Sequence, residues 1–123
     1  MIKKLSLWFL MVIMLSSCTS QNPSITKIDK TFVKNEILGK DVQLVDVRTP
    51  EEYESGHIDD ALNFNIIDSE SFLRQIEGLD KEKPVYLYCK MGGRSNRAAK
   101  LLQNKGFVEI YDYSGGYNDW VTD

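Results

Sequence analysis

The chain predicts an α/β domain with a parallel central sheet of about five strands and helices on both faces. Three observations carry that expectation. From Ile25 onward, short apolar runs alternate with segments of helical periodicity, and parallel strands require crossover connections of that kind. Val85-Tyr86-Leu87-Tyr88 is a near-continuous apolar run, as expected of a strand buried on both faces. The 123 residues, 42% hydrophobic and 11% aromatic, suffice for one core and leave no room for a second.

The first segment reads as targeting rather than fold. Met1-Ile2-Lys3-Lys4 gives a basic start, and Leu5 to Leu15 is apolar at every position except Ser6. A helix of that length reaches roughly 17 Å, well short of the ~30 Å hydrocarbon core that a spanning helix must cross. Leu15-Ser16-Ser17-Cys18 follows, an apolar residue, two small ones and a cysteine, which resembles the lipobox of bacterial lipoprotein signals. The resemblance implies that residues 1–17 are a signal peptide and that Cys18 becomes a lipidated N-terminus, carrying a diacylglyceryl thioether and an N-acyl chain. Two or more chains anchor stably where one binds only marginally. An ordinary secretory signal cut near Ser17 is the competing reading. The expected location is extracytoplasmic, lipid-anchored to a bacterial membrane, with residues 18–24 as tether and 25–123 as the folded domain.

Ile25–Ile28 reads as extended, and Asp29 as the N-cap of a helix burying Phe32, Val33 and Ile37 and stopped by Gly39. Val42–Val47 is the first strong strand. Thr49-Pro50-Glu51-Glu52 has a threonine cap, proline at the first helical position and glutamate three residues after the cap, so a short helix starts there. Asn63–Ile66 is expected as a brief strand. Phe72, Leu73, Ile76 and Leu79 then recur at helical spacing after the cap candidates Asp68 and Ser69. Strand Val85–Tyr88 places Cys89 at its carboxyl end. Ser95 is expected to cap a helix carrying Ala98, Leu101 and Leu102, closed by Lys105-Gly106 before a last strand, Ile110–Tyr113.

Composition excludes some functions. With 15 Lys and Arg against 18 Asp and Glu, the net charge of −3 offers no electrostatic footprint for nucleic acid. Of two cysteines and one histidine, only Cys89 and His57 remain in the domain, too few for a zinc site built from Cys and His. In such sheets ligands bind at the carboxyl ends of the strands, where Asp46-Val47-Arg48 and Cys89 both fall. Cys89-Lys90-Met91-Gly92-Gly93-Arg94-Ser95 joins a buried strand to a helix. Loop amides and the helix N-terminus can converge on the sulfur, the paired glycines permit the turn, and Lys90 and Arg94 add positive charge. That setting favours thiolate over thiol.

Three segments now resemble the single-domain rhodanese-like sulfurtransferases. They are Asp46-Val47-Arg48-Thr49-Pro50-Glu51-Glu52-Tyr53 with Gly56-His57-Ile58 and Ala61, Cys89 through Ser95, and Gly115-Gly116-Tyr117 with Trp120. Asp59-Asp60 departs from the family, which commonly has Pro-Gly there. The resemblance implies that Cys89 is the nucleophile. It would take the outer sulfur of a donor such as thiosulfate, hold it as a persulfide and pass it to cyanide or a thiol, splitting one transfer into two. The resemblance gives Lys90, Met91, Gly92, Gly93 and Arg94 as the substrate-binding loop and requires no metal or organic cofactor. An exported thiol also implies a reductant outside the cytoplasm.

Two other functions compete. Cysteine phosphatases and arsenate reductases of related fold carry Cys-x5-Arg, whereas four residues separate Cys89 from Arg94 and Tyr88 precedes the cysteine. A non-catalytic rhodanese-like binding module is the third class, against which stands the retention of Cys89, Gly92, Gly93 and Arg94. Asp46 and Arg48 read equally as substrate contacts or as an ion pair holding the loops. His57 reads as packing or loop-fixing, and Tyr117 and Trp120 as core.

Overall fold

The structure, a computed structural model, describes residues 24–123. The signal peptide at 1–17, the lipidation site Cys18 and nearly all of the 18–24 tether lie outside the described residues.

Five parallel strands form one sheet in the order β1-β5-β4-β2-β3. They are β1 (Ile25–Ile28), β2 (Gln43–Asp46), β3 (Leu62–Asn63), β4 (Val85–Tyr88) and β5 (Ile110–Tyr113). The connections run through α1 (Lys30–Phe32), which continues as a π-helical turn over Val33–Ile37, then α2 (Pro50–Ser55), α3 (Ser69–Ile76) and α4 (Gly93–Asn104); α5 (Gly116–Trp120) follows β5. The expected fold class is the one observed.

Strand alternation sorts the core into two layers. On one face Val45, Val47, Val85, Leu87 and Ile110 meet Phe72 and Ile76 of α3 and Ala98, Ala99 and Leu102 of α4. On the other, Leu44, Tyr88 and Tyr113 meet Val33 and Ile37, with Tyr53, Tyr117 and Trp120 packed against them. Cys89, the next residue after β4, keeps the alternation and falls on the α3/α4 side.

Local rules explain the helix starts. The Asp29 carboxylate accepts from the Phe32 amide at 2.9 Å. Thr49 and Glu52 complete the capping box of α2, with proline at the start of the helix. Asp68, rather than Ser69, caps α3.

Three expectations are corrected. Phe32 is only partly buried, while Val33 and Ile37 are each 1% exposed. The strand expected over Asn63–Ile66 is Leu62–Asn63. Its partner β2 ends at Asp46, and beyond that point the Phe64 and Ile66 amides donate singly to Asp46 and Val47 carbonyls without forming a ladder. Ser95 is not the cap of α4. The helix starts two residues earlier, after Gly92, leaving Ser95 inside the first turn.

The chain leaves β2 toward β3 at one edge and leaves β4 toward β5 on the other side. The carboxyl ends of β2 and β4 therefore bound a switch point, where connections diverge and leave a crevice.

Candidate active site

Cys89 stands at that switch point, 1% exposed. The Gly92 amide donates to its Sγ at 3.0 Å, and the Cys89 thiol donates to Ser95 Oγ at 3.5 Å. The sulfur therefore faces one backbone donor and one hydroxyl, both set by the turn that opens α4.

The turn has its shape because neighbouring backbone holds it. Gly92 adopts φ +102°, a conformation L side chains rarely enter. A Cβ there would lie 2.5 Å from the Ser114 carbonyl oxygen. Gly116, at φ +68°, passes so close that a Cβ would meet Lys90 O at 2.5 Å and Cys89 O at 2.7 Å. Immediately after it, the Tyr117 amide donates to Cys89 O at 2.8 Å and the Asn118 amide to Lys90 O at 3.0 Å. The first carbonyls of the loop are thus fixed by the start of α5. Sequence reasoning assigns the α5 residues to the core and misses this clamp; Gly115-Gly116 is its one visible signal. Of the pair Gly92-Gly93, only Gly92 needs to be glycine: Gly93 has no positive φ and open space where its Cβ would stand.

The other predicted site residues are placed unevenly. Lys90 and Met91 are exposed, Met91 at 73%. Arg94 turns to Glu52, donating from Nη1 to Oε1 at 2.7 Å and from Nη2 to Oε2 at 2.9 Å. Glu52 Oε1 also accepts from the Thr49 amide and hydroxyl at 3.3 and 3.1 Å. Arg94 therefore holds the Glu52 carboxyl down at about 2, and the hydrogen bonds to Glu52 in turn raise Arg94. In the sequence, Glu52 reads only as a helix-start signal.

Asp46 and Arg48 resolve as the ion pair. Asp46 is fully buried and Arg48 3% exposed; Arg48 Nε donates to both carboxylate oxygens at 3.0 Å and Nη2 to Oδ2 at 2.6 Å. Arg48 Nη2 also donates to Gly56 O at 2.7 Å, and the guanidinium lies 4.2 Å from the Tyr117 ring centroid. The pair braces the loop after β2 against α5. His57 stacks on Tyr53 with centroids 3.9 Å apart, its Nδ1 3.0 Å from Tyr53 O, consistent with its loop-fixing reading.

The parallel sheet thus sets Cys89 at its switch point, beside the N-terminus of α4. Residues 29–123 match the model of the rhodanese-like domain, and the chain belongs to that family. The YqhL protein of Bacillus subtilis is 41% identical over 97 residues, covering 76% of this chain and 74% of the relative. The thiosulfate sulfurtransferase GlpE of Coxiella burnetii is 37% identical over 81 residues, 66% of this chain and 73% of the relative. A rhodanese-like domain protein from Staphylococcus aureus superposes with a TM-score of 0.69 at 28% identity, covering 80% of this chain and 93% of that one.

Proposed function

We propose that this domain is a sulfurtransferase that moves a sulfane sulfur from a donor such as thiosulfate to a thiophilic acceptor, cyanide or a thiol, through a persulfide on Cys89. The observation that carries the reading is the 3.0 Å hydrogen bond from the Gly92 amide to Cys89 Sγ at the start of α4. A donor fixed there before reaction stabilises negative sulfur with little reorganisation. The likeness to GlpE supports thiosulfate as the donor class.

In the first half-reaction the Cys89 thiolate attacks the outer sulfur of thiosulfate. A new S–S bond forms, the old one breaks, and sulfite leaves with the electron pair. In the second, the acceptor attacks the outer sulfur and Sγ leaves as thiolate. Lys90, Met91, Gly92, Gly93 and Arg94 form the substrate-binding loop. Arg94 enters it with two N–H groups already given to Glu52.

The remaining proposals concern location. Lipidation of Cys18 would anchor the domain outside the cytoplasm, where a thiol reductant would keep Cys89 reduced. The basic start, short apolar run and small residues before Cys18 support that reading.

The activity reading is tested on one preparation given thiosulfate with cyanide and, separately, an aryl phosphate, with Cys89→Ser as the blank. Thiocyanate formation without phosphate release is expected. Cys89-dependent phosphate release without thiocyanate would favour the phosphatase reading.

A further inference from the structure

Ser95 is fully buried yet polar, and its hydroxyl touches the reacting atom. It accepts from the Cys89 thiol at 3.5 Å and donates to Gly92 O at 3.2 Å. A hydroxyl has a single hydrogen and a free rotor, so this arrangement suits a protonated sulfur. When Sγ carries negative charge it has nothing to donate, and the hydroxyl hydrogen is better pointed at sulfur, because bonds to charged groups are the stronger ones. Gly92 O is not orphaned by the turn, since the Asn96 amide also donates to it at 3.0 Å. Both orientations are therefore satisfied.

We infer that Ser95 is a second catalytic residue, a hydroxyl that rotates from Gly92 O to Cys89 Sγ and stabilises that sulfur as the leaving thiolate. The inference rests on the sulfur-transfer reading. In the discharge step the cyanide carbon bonds to the outer persulfide sulfur and the S–S bond to Sγ breaks. The electron pair stays on Sγ, and thiocyanate departs; no oxidant, reductant or proton is consumed. The charge that develops on Sγ meets the Gly92 amide and the Ser95 hydroxyl.

The test separates the two half-reactions. Protein is loaded with thiosulfate, freed of donor and mixed with cyanide, and loss of the extra sulfur from Cys89 is followed by mass spectrometry. Ser95→Ala is expected to load yet discharge roughly ten- to a hundredfold more slowly, the rate equivalent of one hydrogen bond to a charged group. Ser95→Thr, which keeps the hydroxyl, is expected to recover most of that rate; if its extra methyl prevents folding, Ser95→Ala against wild type decides alone. Equal discharge by wild type and Ser95→Ala overturns this proposal only, as does a folded Ser95→Thr as slow as Ser95→Ala. A wild type that takes up no sulfur overturns the sulfur-transfer reading and this proposal with it.

Discussion

Arg94 and Glu52, 42 residues apart in sequence, meet as a two-bonded fork that ties the first turn of α4 to the first turn of α2. The cation at the start of α4 is thereby aimed by a residue from a different helix. Planar bidentate pairing of this sort fixes direction as well as charge.

The fork makes a pH prediction. Glu52 titrates at about 2 in the fold against an ordinary 4.5, chiefly because Arg94 hydrogen-bonds its charged form. A depressed carboxylate contributes stability that is complete above its unfolded value and lost as pH falls toward its folded one. Denaturant midpoints of wild type and Glu52→Gln should therefore differ by a constant amount above about pH 5, and converge as pH falls from about 4.5 toward 2. A difference that grows in acid would refute the assignment.

The glycines of the site separate by geometry. Gly92→Ala and Gly116→Ala must each place a side chain at positive φ and within 2.5 Å of a backbone oxygen. Each should lose at least about 1–2 kcal/mol from the left-handed backbone alone, and sulfur transfer should fall as the loop shifts. Gly93→Ala, with open space around its Cβ, should stay within about 0.5 kcal/mol of wild type. Urea unfolding of the three variants tests the ranking.

The buried pair makes a structural prediction. Asp46→Ala leaves the Arg48 guanidinium, 3% exposed, without its carboxylate, and breaking such a pair costs about 3–5 kcal/mol. Chemical denaturation measures it. A loss under about 1 kcal/mol would mean that Gly56 O and Tyr117 hold Arg48 by themselves.

Much of this is legible in the sequence, and the gaps have physical causes. Strand β4 and the placement of Cys89 follow from an apolar run ending at a glycine loop. The Thr49 capping box is readable because its partners lie three residues apart. Glu52 cannot be seen as Arg94's partner, because only the pairing of β2 with β4 brings the first turn of α2 to the first turn of α4. Ser95 misleads for a subtler reason. Serine favours caps, but the left-handed turn at Gly92 starts the helix earlier and turns that hydroxyl inward to the sulfur.

Anchoring has its own test. If Cys18 is lipidated, cells expressing the full chain should incorporate labelled fatty acid into it, and Cys18→Ala should abolish the label. Equal labelling of both would contradict the lipoprotein reading.

The central claim is a persulfide on Cys89, and the mass of the peptide carrying that residue tests it most directly. After thiosulfate treatment and removal of the donor, the peptide should be heavier by one sulfur atom. Cyanide should return it to its original mass, and the Cys89→Ser protein should show no gain. A Cys89 peptide of unchanged mass after thiosulfate, in protein whose thiol is shown to be free, would contradict the account.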